Sequence, residues 1–206
     1  MTNDMMNRFV ILGNGEYPSS RIPLEILDKA EYVVCCDGAA NEYIRLGNMP
    51  AVVVGDGDSL SDDIKERYPH LIYRIADQET NDLTKAVQYL YSKNIKEFSI
   101  VGASGKREDH ALGNISLLLQ YRRMGIKTRM YTEYGYFMAC NDTVTIPSYN
   151  GQQISIINFN AIGLSSSDLK YPLRDFSEWW QGTLNESLGN TVTIHAQGEY
   201  IIFINY

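Results

Sequence analysis

Ala51-Val52-Val53-Val54-Gly55-Asp56-Gly57-Asp58-Ser59 is an apolar, β-branched run that breaks off into two carboxylates set between glycines. Consecutive apolar residues without polar alternation describe a strand covered on both faces, as in a parallel sheet sandwiched between helices. The acids then stand at the carboxyl end of that strand, the edge at which open parallel sheets bind ligands. Two charges crowded there call for a cation. Carboxylates beside glycines, which let a bulky ligand approach the backbone, suit a Mg²⁺ that keeps several waters and bridges phosphate oxygens. Taken alone, the same residues also read as an ordinary Asp/Gly turn.

The flanking sequence repeats the pattern. Short apolar runs at Phe9–Leu12, Tyr32–Cys36, 71–75 and 98–101 alternate with helical periodicity at 22–30, 40–46, 61–68, Asp82–Ser92 and 109–124. Leu83, Val87 and Leu90 share one helical face, as do Ala111, Ile115 and Leu118, and Asn94 and Gly125 are natural stops. The expected class is α/β: an amino-terminal Rossmann-like parallel sheet with helices on both faces. After residue 127 the texture changes to alternating strands at 143–146, 153–157, 191–194 and 200–204, separated by turns such as Asn150-Gly151. This predicts a small carboxyl-terminal all-β domain, a sandwich or barrel, and hence domains 1–127 and 128–206, with 129–139 able to belong to either. There is no internal repeat.

With 206 residues, 44% of them apolar, the chain can bury one substantial core or two small ones. Eighteen Lys and Arg against twenty-five Asp and Glu give a formal charge of −7, which repels nucleic acid and anionic membranes. It would repel ATP as well unless a divalent metal neutralised the approach. Neither a nucleic-acid nor a membrane partner is expected. Cys35, Cys36 and Cys140 lack C-x-x-C spacing and read as buried free thiols of a reducing cytosol. The start, Met1-Thr2-Asn3-Asp4, has no basic segment followed by an apolar one, and no run reaches membrane-spanning length, so the expected setting is cytoplasmic.

Two further clusters lie, like Asp56 and Asp58, where strand-like sequence gives way to helix-like sequence. In the first, Asp82 and Lys85 are three apart at a helix start and share a face, with Thr80 or Asn81 as cap and Asp77 and Gln78 just before. A solvated ion pair is the plainer reading. In the second, Gly102-Ala103-Ser104-Gly105 can offer backbone N–H groups to a phosphate, and Arg107 adds a planar donor fork. A glycine-containing loop without a ligand is the alternative. Asp109 opens the next helix, where His110 and Asn114 lie one turn apart, and there a histidine also serves as a structural cap.

Four ordered segments, Asp37-Gly38-Ala39-Ala40-Asn41, Gly55-Asp56-Gly57-Asp58-Ser59, the run from Asp77-Gln78 to Asp82-Leu83-Thr84-Lys85-Ala86, and Gly102-Ala103-Ser104-Gly105-Lys106-Arg107-Glu108-Asp109-His110, resemble the thiamine pyrophosphokinase (thiamine diphosphokinase) family. The resemblance implies transfer of a pyrophosphoryl group from ATP to the hydroxyl of thiamine, giving thiamine diphosphate and AMP. It implies Mg²⁺ held by Asp56, Asp58 and Asp82, and ATP contacts from Asp37, Gly38, Gln78, Lys85, Gly102, Arg107, His110 and Asn114. Asp109 joins the catalytic set, as a base or as a metal or network ligand. It further implies a homodimer whose sites combine the nucleotide domain of one chain with the β-domain of the other. In the carboxyl half, Asp168-Leu169-Lys170-Tyr171-Pro172-Leu173 is similar to the family's G-L-K-Y/W-P-L segment, with Asp168 replacing glycine. Gly182-Thr183-Leu184-Asn185-Glu186 is similar to its S-x-S-N-E segment, with Leu184 in place of a hydroxyl residue. Tyr171, Thr183 and Asn185 are the thiamine contacts so implied. An aromatic face suits a cationic thiazolium; Trp179-Trp180 is an alternative platform, and core packing a third use of such residues. Another Mg²⁺-dependent nucleotide transferase and a non-catalytic thiamine or nucleotide sensor are the rival functions. Retention of Asp56, Asp58, Asp82 and Lys85 argues against the sensor.

Overall fold

The computed structural model describes residues 8–77 and 79–206. The ATP contact expected of Gln78 and the segment at 1–4 lie outside the described residues. The chain divides into two compact units, the first running to Leu117 and including Gly125–Glu133, the second comprising Leu118–Met124 and Tyr134–Tyr206.

The first unit alternates strands and helices: β1 (Phe9–Leu12), α1 (Arg21–Asp28), β2 (Tyr32–Cys36), α2 (Ala39–Arg45), β3 (Val52–Gly55), α3 (Asp62–Arg67), β4 (Ile72–Arg74), α4 (Asp82–Ser92), β5 (Glu97–Val101), α5 (Glu108–Arg123) and β6 (Lys127–Tyr131). Its strands run β4-β3-β2-β1-β5-β6 with every pairing parallel. Val10, Ile11, Val34, Cys35, Val54 and Ile100 are wholly buried, so alternate side chains on both faces are covered, as the uninterrupted apolar runs require. Strand order reverses between β1 and β5, which makes the carboxyl ends of these two strands the topological switch point.

The loops after β1 and β5 are held together there. Gly13 N–H donates to Val101 O at 2.8 Å, Gly15 N–H to Gly102 O at 2.7 Å and Glu16 N–H to Ser104 O at 2.7 Å. A Cβ on Gly15 would fall 2.3 Å from Ser104 O, so only glycine permits this approach. Helix starts are fixed by side chains. Asn81, one of the two caps foreseen for α4, accepts from Thr84 N–H at 2.9 Å, and Ser61 accepts from Ile64 N–H to cap α3. Ser20 precedes α1 without a side-chain cap bond; Glu133 instead accepts from Ser19 N–H, Ser19 Oγ and Ser20 N–H at 3.0, 2.8 and 2.6 Å.

The second unit is all-β apart from its helical segment and one 3₁₀ turn at Trp179–Gly182. β7 (Gly135–Asn141), β9 (Gln153–Asn158), β11 (Asn185–Glu186) and β13 (Glu199–Asn205) form an antiparallel sheet ordered β11-β9-β13-β7. β8 (Val144–Pro147), β10 (Ile162–Ser165) and β12 (Thr191–Gln197) form another, ordered β10-β12-β8. Ile154, Ile156, Tyr200 and Ile202 from the former meet Ile146, Leu164, Val192 and Ile194 from the latter in one core, so the unit is a sandwich. The chain passes from β12 to β13 through Gly198 at φ +105, where a Cβ would lie 2.8 Å from Asn160 O.

Candidate active site

Beyond the switch point the first unit opens a cleft of about 510 Å³. Of the residues singled out from the sequence, Asp56, Asp82, Lys85, Arg107, His110 and Asn114 line it. Asp58 and Asp109 are exposed at its margin and do not belong to its wall. Gly38 borders a second, adjoining pocket, and Gly102 stands behind the wall in the loop that receives Gly15.

Asp37 is placed by the end of β2 and the turn into α2. It is 1% exposed and takes an unusual positive φ of 35°. Its Oδ2 accepts from Ser59 N–H at 3.0 Å, while Oδ1 is buried without a hydrogen-bond partner. Burial pushes its pKa up, against the Ser59 bond, and the charges of Asp82 and Asp56 push it further. Asp56 leaves β3 and is half-buried; the Asp58 N–H, 3.1 Å from its Oδ1, holds its carboxyl below the usual carboxylate range. Asp82 opens α4, and Lys85, one turn on and 3% exposed, sets its ammonium 3.1 Å from Asp82 Oδ1. The sequence pair is thus no solvated surface pair: its cation is buried and its carboxylate two-thirds buried, with side-chain exposures of 4% and 33%.

Arg107 donates to Asp109 through Nε and an Nη at 3.0 and 2.6 Å, and this pairing holds the Asp109 carboxyl below its usual range. A carboxylate so paired is a poor proton acceptor. It orients the guanidinium instead, and a phosphate could take over the same fork. Asp109 Oδ1 also accepts from the backbone N–H of His110. Asn114 is engaged at both ends of its amide, donating to Ala103 O at 2.8 Å and accepting from Asn81 Nδ2 at 3.0 Å, so it braces the loop after β5 against the cap of α4.

Within the second unit, Asn185 is 5% exposed, accepts from Tyr171 N–H at 3.0 Å and donates to Tyr171 O at 2.8 Å. Its side chain clamps the backbone of Tyr171, a residue that remains 52% exposed. Thr183 Oγ donates to Trp180 O and closes the 3₁₀ turn. Asp168, the departure from glycine, accepts from Thr193 N–H at 2.8 Å, and its carbonyl accepts from Leu188 N–H, so the acid fastens the Tyr171 segment to β12.

Gly13, Asn14 and Gly15, which sequence reading passed over, also wall the cleft, together with Ser59, Ser104 and Lys106 from the segments quoted above. Gly13-Asn14-Gly15 directly after the first strand was the available signal. Lys106 Nζ donates to Asn14 O and to Asn14 Oδ1 at 3.2 and 3.3 Å.

Comparison with known proteins places this arrangement. The profile of the thiamin pyrophosphokinase catalytic domain matches residues 24–130, and that of the thiamin pyrophosphokinase substrate-binding domain matches residues 135–203. The chain belongs to the thiamin pyrophosphokinase family. It is 31% identical over 124 residues to thiamine pyrophosphokinase 1 of Oryza sativa subsp. japonica, covering 48% of this chain and 47% of that one. It is 27% identical over 167 residues to thiamine pyrophosphokinase of Bacillus subtilis (strain 168), covering 75% and 74%. The chain thus spans about half the length of several curated thiamine pyrophosphokinases that it matches, and three quarters of the Bacillus one. Among solved structures, thiamine pyrophosphokinase from Bacillus subtilis superposes with a TM-score of 0.79 at 23% identity over 96% of this chain and 98% of that one. Yeast thiamin pyrophosphokinase superposes with a TM-score of 0.79 at 17% identity over 99% and 87%. These likenesses establish the α/β-plus-sandwich fold expected from the sequence.

Proposed function

We propose that this chain is a thiamine pyrophosphokinase, transferring the pyrophosphoryl group of ATP to the thiamine hydroxyl. The observation that carries the reading is the acidic cluster at the switch point. Asp37, Asp56 and Asp82 influence one another in a cleft of the family's catalytic domain, and one buried oxygen of Asp37 lacks a partner. Such a group of carboxylates is costly unless a cation meets it. Among the described residues no three His, Cys, Asp or Glu side chains converge tightly enough to hold a metal by themselves. Mg²⁺ takes one or two carboxylates directly and fills its shell with water and phosphate oxygens. Asp56 and Asp82, with Asp58 at the rim, are the residues that would hold it; the ion would supply neutralisation of charge on the transferring group and on departing AMP.

The chain's own residues do the rest. Lys85 fixes Asp82 and adds a positive charge on the cleft wall, Arg107 offers its fork to a phosphate with Asp109 as its counter-ion, and Asn114 steadies the loop after β5. Gly38, Gly102, Gln78 and His110 complete the proposed ATP surroundings. The thiamine oxygen bonds to the β-phosphorus, the bridge from that phosphorus to the α-phosphate breaks, AMP leaves with the electron pair, and the hydroxyl proton passes to solvent. For thiamine we propose the sandwich unit, with the exposed face of Tyr171 against the thiazolium, Thr183 nearby, and Asn185 holding Tyr171 in place. A homodimer with sites shared between chains is the proposed assembly; exposed Leu112 on α5 and exposed Trp180 and Leu184 in the sandwich are surfaces a second chain would cover. Among the described residues no helix is long and apolar enough to cross a membrane. Buried free thiols at Cys35, Cys36 and Cys140 suit a reducing cytoplasm.

Incubation with thiamine, ATP and Mg²⁺ followed by chromatography tests the reading. Thiamine diphosphate and AMP should form in equal amounts. Release of inorganic pyrophosphate or of a nucleoside diphosphate would favour the rival transferases, and binding without turnover would favour a sensor.

A further inference from the structure

The loop over 166–176, which carries Tyr171, lies wholly in the second unit and is tied down on both sides of that residue. β10 leaves β12 after the pairing of Ser165 with His195, so on that side the N–H of Thr193, further along β12, loses its strand partner. Asp168 Oδ2 takes up this donor at 2.8 Å, where a further residue of β10 would have offered a carbonyl. Beyond Tyr171, Asp175 Oδ1 accepts from Leu164 N–H of β10 at 2.9 Å. Two carboxylates thus strap the loop to the three-stranded sheet. Leu169 and Phe176 anchor it in the sandwich core, and Leu169 also bridges to Ser187 in antiparallel fashion.

Tyr171 stands exposed at the centre of these ties, and Pro172 after it restricts its backbone to extended conformations. Lys170 Nζ lies 5.5 Å from the centre of the Tyr171 ring and is held by Glu186 at 2.9 Å. One face of the ring therefore already meets a cation, which directs a second cation to the other face. Fixing an exposed aromatic removes no further apolar area from water, so the fold gains little from it. A ligand gains more, because the ring that it stacks on is ordered before it arrives.

We propose that Asp168 and Asp175 are positioning residues for thiamine, acting through the backbone of 166–176 on the ring of Tyr171. The proposal rests on the reading of Tyr171 as the thiamine platform. Neither acid touches substrate; each keeps the loop in the one conformation that presents the ring.

Steady-state kinetics with thiamine and ATP varied in turn test this on wild type, Asp168→Ala, Asp168→Asn and Asp175→Ala. Asp168→Ala should raise the KM for thiamine about three- to tenfold, the cost of ordering a side chain that was previously held, with kcat and the KM for ATP as in wild type. Asp168→Asn keeps an acceptor for Thr193 N–H and should stay close to wild type. Asp175→Ala frees only the other end of the loop and should shift the same constant in the same direction, which also serves if Asp168→Ala does not fold. A double-mutant cycle shows whether the acids act through the ring: in a Tyr171→Ala background, neither alanine variant should raise the KM for thiamine further. An unchanged KM for thiamine in the folded alanine variants, a parallel rise in the KM for ATP, or an effect of full size persisting without the Tyr171 ring would overturn the proposal. Tyr171→Ala with a wild-type KM for thiamine would instead sink the platform reading, and the proposal with it.

Discussion

Lys85 shows how the cleft couples function to stability. Its ammonium is buried and faces Asp82 at 3.1 Å, so Asp82 has work to do before any ligand arrives. Asp56 is different, since its carboxylate accepts from the backbone N–H of exposed Asp58. The two acids should therefore respond differently to neutralisation. Asp56→Asn is expected to lower turnover by about 100-fold or more through loss of a hard ligand, with stability changed by less than about 0.5 kcal/mol. Asp82→Asn should lose turnover as fully and in addition cost about 1–3 kcal/mol by leaving a buried ammonium short of its counter-charge. Turnover across a Mg²⁺ titration and urea melts of both variants check this; equal stabilities would show that Lys85 draws no support from Asp82. The acids were legible in the sequence because charge at the end of an apolar run is conspicuous. Gly13 and Gly15 were visible only as a glycine pair after the first strand, because their meaning lies in close approach to Gly102 and Ser104, far along the chain. Asn185 was expected, by resemblance, to contact thiamine; its two bonds to the backbone of Tyr171 could not be read from the sequence.

At the scale of elements, α1 depends on a residue from the other end of its unit. Glu133 supplies the acceptors that Ser20 does not, and its pKa is lowered: burial works the other way, but the bonds from Ser19 and Ser20 outweigh it. A carboxylate depressed in the folded state contributes stability above its unfolded pKa and loses it as pH falls through the folded one. Glu133→Gln should thus lower the Tm by roughly 2–4 °C at pH 7, equivalent to about 1 kcal/mol for a partly exposed cap, and the gap to wild type should shrink as pH falls below about 4. A gap constant from pH 7 to pH 3 would show that the charge is irrelevant. Buried strands were readable as apolar runs. β6 was not, because its opening residues Lys127, Thr128 and Arg129 are polar and only Met130 and Tyr131 are buried. β10 is interrupted by Gly163 at φ +69 and β11 has only Asn185 and Glu186, too little for periodicity to register.

For the whole molecule, the change from helix-and-strand texture to strands alone announced two kinds of structure. That α5 gives 118–123 to the sandwich unit was hidden, because the helix continues without a break in its sequence. How chains pair is likewise invisible in one chain. If sites are shared across a two-fold dimer, Asp82→Asn and Tyr171→Ala damage opposite halves of each site. Mixing the two impaired variants then puts both lesions in one site of a mixed dimer and leaves the other whole. Refolding them together should restore roughly one quarter of wild-type activity, since half the dimers are mixed and half their sites intact. No recovery, with mixed dimers verified by mass spectrometry, would place each site within a single chain. The central claim is the transfer of two phosphorus atoms in one step, and ATP labelled separately at the β- and γ-phosphates tests it most directly. Both labels should enter thiamine diphosphate in equal amounts with one AMP formed per product. Label from the γ-position alone, with ADP accumulating, would contradict it.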